Sequence, residues 1–171
     1  MKTLFLMRHA KSSWDDPALA DFDRPLNERG QKAAPLMGRL LRERKVKPDL
    51  VLSSPAERAK QTAALVMEAA GIKKKVTYER RIYDASLGQL LDVITGIDDK
   101  CSVVLIIGHN PGLEKLLEYL TGESERMPTA ALARIALNID KWSTTGDLSG
   151  TLEWIMRPKE LASSLRGKNK K

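Results

Sequence analysis

Short apolar runs alternate along this chain with longer stretches whose apolar positions recur every three to four residues. The runs at Thr3 to Met7, Leu50 to Ser53, Val76 to Tyr78, Val103 to Ile107, Ala131 to Ile139 and Gly150 to Met156 predict strands. The helical period predicts helices at about Glu28 to Lys45, Pro55 to Gly71, Ser86 to Thr95 and Pro111 to Leu120. Strands that alternate with helices specify an α/β domain with a mainly parallel sheet. The last two strands have no helix between them, only the hairpin-like turn KWSTTGD, so an antiparallel pair is expected at one edge.

Two helix starts can be read in chemical detail. Ser54-Pro55-Ala56-Glu57 has the form of a capping box, with serine at the N-cap, proline at the first helical position and glutamate at the third. Asn110-Pro111 repeats the cap-then-proline arrangement after the run SVVLII. Both strands are thus expected to end at helix N-termini, whose free N–H groups and partial positive charge favour anions. In a parallel sheet the carboxyl ends of the strands share one edge, so the residues after Met7, Ser53 and Ile107 converge there. They are Arg8-His9, Ser54 through Arg58, and Gly108-His109-Asn110, and they include both histidines of the chain.

Composition changes this picture little. At 171 residues with 42% hydrophobic and 30% charged content, one domain with a real core is the expectation. The net charge of +7 suggests an anionic partner, but residues 157 to 171 carry six cations against Glu160 alone. That segment holds +5 and leaves about +2 for the rest, too little for a nucleic-acid-binding face. The expected division is a domain over residues 1 to 157 and a basic, disordered tail over 158 to 171. The single Cys101 allows no internal disulfide and no thiolate metal cluster, and it precedes a buried strand, where it is expected to be inert. No secretory signal is evident at the N-terminus and no apolar run reaches the roughly 18 residues that span a bilayer. The expected setting is therefore cytoplasmic, with no membrane and no nucleic acid as partner.

Two imidazoles and two guanidiniums at one sheet edge form a compact positive pocket suited to a tetrahedral dianion, since the arginine fork holds two phosphate oxygens at once. The chain has neither G-x-S-x-G nor a P-loop. Two histidines flanked by arginines repel a metal ion. Histidine is left as the nucleophile of a phosphoryl transfer that needs no metal and no cofactor.

The blocks Arg8-His9-Ala10 through Trp14, Asp23-Arg24-Pro25-Leu26-Asn27-Glu28-Arg29-Gly30, SSPAERAKQTA from Ser53 to Ala63, and Gly108-His109-Asn110-Pro111 resemble, in order, those of the histidine phosphatase superfamily, also called phosphoglycerate mutase-like. The family's R-H-G reads R-H-A here, as in its SixA-like phosphohistidine phosphatase branch. The resemblance covers about residues 1 to 156 and implies a three-layer α/β/α sandwich. It implies His9 as the phosphorylated nucleophile, Arg8 and Arg58 as phosphate clamps and His109 as the second imidazole. Ser12 is a secondary phosphate contact, and Asp15 stands where many relatives carry asparagine but is left outside the core set. Asp84 is the positional candidate for the general acid, although an acidic residue two positions before Ser86 also suits a helix start. PLNERG reads as a turn into an Asn-capped helix, mainly architectural, and Trp14, Trp142 and Trp154 as packing or rim residues.

Between Lys75 and Cys101 there is room for a strand, one helix and turns, so the covering insertion of the mutases is missing and the site is expected to be open. The substrate is then a phosphohistidine protein or, alternatively, a small phosphorylated metabolite handled with Asp84 as acid. A non-catalytic reader of phosphorylated proteins is the third possibility.

Overall fold

The computed structural model describes residues 1–169 of the chain. Six strands form one sheet: β1 (Lys2–Arg8), β2 (Leu50–Ser53), β3 (Val76–Tyr78), β4 (Val103–Gly108), β5 (Leu132–Leu137) and β6 (Gly150–Met156). The helices are α1 (Glu28–Glu43), α2 (Glu57–Ala70), α3 (Leu87–Thr95), α4 (Gly112–Thr121) and α5 (Pro158–Lys168). The strand order is β3-β2-β4-β1-β5-β6; the first four run parallel, while β5 pairs antiparallel with both β1 and β6. The expected mainly parallel sheet with its antiparallel edge is present.

The period of two along each strand divides the core into two layers. Leu4, Leu6, Val104 and Ile106 face the layer under α3 and α4, whereas Phe5, Met7, Leu105 and Ile107 face the one under α1 and α2. A one-residue slip would exchange the two sets and turn the strand ends, with the site residues that follow them, to the opposite layer. The β5–β6 connection is longer than a hairpin turn: a 3-10 turn over Trp142–Thr144 inserts the fully buried Trp142 into the first layer.

Two corrections concern helix starts. Ala56, not Ser54, occupies the N-cap of α2 and makes no side-chain cap bond, so the capping box is absent there. The Ser54 hydroxyl accepts the Ala56 N–H at 3.2 Å and lies 2.7 Å from His109 Nε2. Likewise α4 begins at Gly112 behind Pro111, and the Asn110 amide donates to the Met127 carbonyl at 2.8 Å instead of capping. Three residues separate each strand from its helix, and Ser54 of one connection meets His109 of the other. The true capping box lies at Ser86 and Gln89.

A third difference is α5, where the sequence suggests a frayed tail. Pro158 opens the helix, Glu160 sits in its first turn and Arg166 and Lys168 in its last, which suits the helix dipole. Arg157 ties its start to Glu125 at 2.8 Å and to Glu160 at 3.2 Å, and Leu161 packs on the second core layer. Net charge alone therefore misjudges this segment; Lys170 and Lys171 lie outside the described residues.

Candidate active site

The carboxyl ends of β1, β2 and β4 converge as the parallel topology requires. Beyond the strands the backbone ladder continues: His9 N–H donates to the Gly108 carbonyl and Ser54 N–H to that of Ile107, each at 3.0 Å. The His9 and His109 ring centroids consequently lie 5.0 Å apart. Arg58, in the first turn of α2, reaches between them, its Nε 3.4 Å from His9 Nε2 and its Nη2 3.4 Å from His109 Nδ1. His9, Arg58 and His109 are all buried.

The partners determine the tautomers. His9 Nδ1 sits 2.7 Å from the Ala10 carbonyl, an acceptor only, so Nδ1 carries the proton and the Nε2 lone pair faces the pocket. Arg58 can only donate, so His109 accepts at Nδ1 and donates from Nε2 to Ser54 Oγ. Burial is the largest cause that lowers both imidazoles, His9 to about 3 and His109 to about 4. The Ala10 carbonyl partly opposes this for His9, and nearby guanidiniums reinforce it for both. Both rings are thus neutral at neutral pH.

The loop after β1 is held from behind. Ala10 is fully buried, its methyl in the second core layer, and its N–H donates to Thr62 Oγ1 at 2.9 Å. Thr62 Oγ1 in turn donates to the Arg58 carbonyl at 2.7 Å, tying the His9 loop to α2. Asn27 caps α1, as its sequence context suggests, and its N–H donates to the Lys11 carbonyl at 3.0 Å. A Cβ on Gly30 would run into that same carbonyl, so glycine is required for α1 to close on the loop. PLNERG is therefore the buttress of the RHA loop.

Arg8 spends Nη1 on the Met127 carbonyl at 3.2 Å, but its buried Nε has no partner among the described residues. A buried donor left unmade costs about 1–3 kcal/mol, which an anion's oxygen would relieve. Desolvation is also the main cause lowering the Arg8 pKa.

Ser12 and Asp84 line the same pocket, of about 220 Å³, with Arg8, His9, Arg58 and His109. Ser12 is buried, and its hydroxyl accepts from Arg24. Asp84 is exposed and sits at φ 49°, in the left-handed region that aspartate tolerates better than most residues. Close packing of α4 brings its loop here, since a Cβ on Gly112 would meet the Ala85 carbonyl at 2.5 Å. Asp15 is exposed and does not line the pocket. Trp14 is a rim residue whose ring lies 3.2 Å from the Arg24 guanidinium carbon.

The sequence reading missed Asp21 and Tyr83. Asp21 Oδ2 accepts from Arg58 Nη2 at 3.1 Å and from the Tyr83 hydroxyl at 2.7 Å; Oδ1 accepts from Arg24 at 2.9 Å. The Asp21 carbonyl accepts from Arg58 Nη1 at 2.7 Å. Tyr83 is the largest cause lowering the Asp21 carboxyl to about 2, followed among the lowering causes by Arg58. The spacing Asp21-x-x-Arg24 was the available signal. Among the described residues no group of three or more His, Cys, Asp or Glu is placed to hold a metal ion.

Buried neutral imidazoles framed by arginines make a pocket suited to a tetrahedral anion. A profile of the histidine phosphatase superfamily (branch 1) matches residues 4–95, and the chain belongs to that family. Among solved structures it is similar to the protein histidine phosphatase SixA complexed with tungstate, at 28% identity and TM-score 0.81 over 93% of this chain and 99% of that one. It is also similar to a SixA-type protein from Agrobacterium tumefaciens, at 32% identity and TM-score 0.78 over 92% and 98%. An uncharacterized protein of Mycobacterium tuberculosis is 37% identical over 138 residues, which cover 74% of this chain and 84% of the relative.

Proposed function

We propose that this protein is a metal-independent phosphatase that works through a phosphorylated His9, with a phosphohistidine protein as its preferred substrate. The observation that carries this reading is the hydrogen bond from His9 Nδ1 to the Ala10 carbonyl, which leaves Nε2 unprotonated in the pocket. Nε2 attacks phosphorus in line as the P–N bond to the protonated substrate imidazole breaks, so that ring leaves neutral and phospho-His9 forms. Water then attacks that phosphorus, the P–N bond to His9 breaks, inorganic phosphate is released with the water's proton passing to solvent, and His9 returns to its neutral form. Arg8, with its free Nε, and Arg58 stabilise the non-bridging oxygens as charge redistributes. His109 is the second imidazole: a bound dianion favours protonation of its Nδ1, making it a donor to phosphate. Ser12 accepts from Arg24 and so keeps its hydroxyl proton to donate to the phosphate as a secondary contact.

The exposed rim position of Asp84 bears on substrate. An alkoxide needs a proton as it leaves, whereas an imidazole departs more readily, so phosphohistidine asks least of a distant acid. Because Asp84 lines the pocket, hydrolysis of a small phosphorylated metabolite with Asp84 as acid is the second reading. A non-catalytic reader has no use for a positioned nucleophile. We take residues 1–157 as the catalytic unit, and cytoplasmic signal transduction as the setting. Described helices include none long and apolar enough to cross a membrane.

A panel of phosphohistidine protein, phosphoramidate, sugar phosphates and phosphotyrosine tests the assignment. The P–N substrates should give the highest kcat/KM. Faster turnover of a sugar phosphate would transfer the assignment to the metabolite reading, and no turnover of any would favour the reader.

A further inference from the structure

A second hollow, of about 350 Å³, adjoins the phosphate pocket, and Lys11 and Thr129 line both. Its other walls come from α1, through Arg29 and Ala33, and from the start of α5, through Arg157, Pro158 and Lys159. Lys11, Arg29 and Lys159 are exposed and pair with no carboxylate among the described residues. Glu160 is the one acidic residue of the lining, and Arg157 already binds it. The groove thus presents three uncommitted cations beside an apolar floor that includes Ala33 and Pro128.

The walls are also fixed in advance. Arg157 bridges Glu125, Glu160 and the Arg126 carbonyl, holding the start of α5 against the loop before Pro128. The Asn27 cap orients the first turn of α1, where Arg29 stands. A preformed groove binds an extended segment at lower entropic cost than one that must be assembled.

We propose that this groove takes an acidic, extended segment of a protein substrate next to its phosphorylated residue. The inference rests on the reading of the site as a phosphatase acting on proteins. The pocket accommodates the phosphate and its ring, and the adjoining groove, continuous through Lys11 and Thr129, receives the neighbouring chain. Glutamate or aspartate side chains meet Lys11, Arg29 and Lys159, while small apolar side chains lie over Ala33 and Pro128. Binding of this kind selects the substrate without touching the phosphoryl-transfer groups.

The test compares a phosphohistidine peptide flanked by glutamates with the same peptide flanked by glutamines, and both with phosphoramidate. Wild-type protein should favour the acidic peptide by about tenfold in kcat/KM, a preference that high salt erases. In Arg29→Glu/Lys159→Glu that preference should vanish while phosphoramidate turnover stays unchanged; Arg29→Gln/Lys159→Gln should fall between. A preference that survives charge reversal, or no preference in the wild type while phosphoramidate turns over, overturns the groove alone. Absence of turnover on all three substrates removes the phosphatase reading itself.

Discussion

His9, Arg58 and His109 on the floor of the pocket are each less than a tenth exposed, and each hangs from a strand end or from the first turn of a helix. Asp84, Trp14 and Asp21 on the rim stand in solvent, on loops and a single 3-10 turn. The floor is pinned through backbone ladders and through Thr62, which ties two segments together. The rim is tied to the floor mainly by side chains: Asp21 gathers Arg24, Arg58 and Tyr83 through its carboxylate and Arg58 again through its carbonyl. On the proposed mechanism the floor carries the chemistry and the rim selects which phosphate enters. Substitutions on the floor should therefore lower turnover of every substrate, and substitutions on the rim should act selectively.

The largest break is His9→Ala, which should reduce turnover of any substrate on the order of 10⁴-fold or more. Residual rates near wild type would place the nucleophile elsewhere. Arg58→Ala should cost about 10²–10³-fold in kcat/KM, on P–N and P–O substrates alike, because it removes charge from the transition state and the partner of both imidazoles. A loss confined to one substrate class would erase the distinction between floor and rim. Asp84→Asn sharpens the comparison from the other side: about tenfold or more on alkyl phosphates, within about twofold on phosphoramidate. Equal losses would move Asp84 to the chemistry shared by all substrates.

The smallest effect is one of pH. Burial lowers His9 to about 3 and His109 to about 4, so between those values and an unfolded pKa of about 6.5 the unfolded chain binds protons that the folded chain refuses. Stability should thus fall as pH drops below about 6.5, and rise with pH in that window. Thermal unfolding of His109→Gln should show a shallower decline from pH 7 to pH 5 than wild type. A parallel decline would mean that the ring is not held neutral. Asp21 acts in the same direction at lower pH: its carboxyl is lowered to about 2, so its contribution is full above about 3.9 and is lost as pH falls through 2.

The floor was legible in the sequence because its residues ride on the ends of apolar runs, and a parallel sheet brings such ends together whatever the loops do. The rim was not. Asp21 lies 37 residues from Arg58 and 62 from Tyr83, and a loop path, not a periodicity, decides that they meet. Ser54 shows the limit of local signals: the hydroxyl that could cap α2 instead lies against His109, and the two arrangements share one sequence signature. The tail was misjudged for a related reason. Charge counting weighed its lysines and arginines but not Leu161 or the double pairing of Arg157.

The central claim is that phosphate passes through His9 Nε2. Rapid mixing with ³²P-labelled phosphohistidine protein, followed by denaturation and peptide mapping, tests it directly. The account predicts label on the peptide that contains His9, released by acid, retained in alkali and absent in His9→Ala. An acid-stable adduct, or label on any other residue, would contradict it.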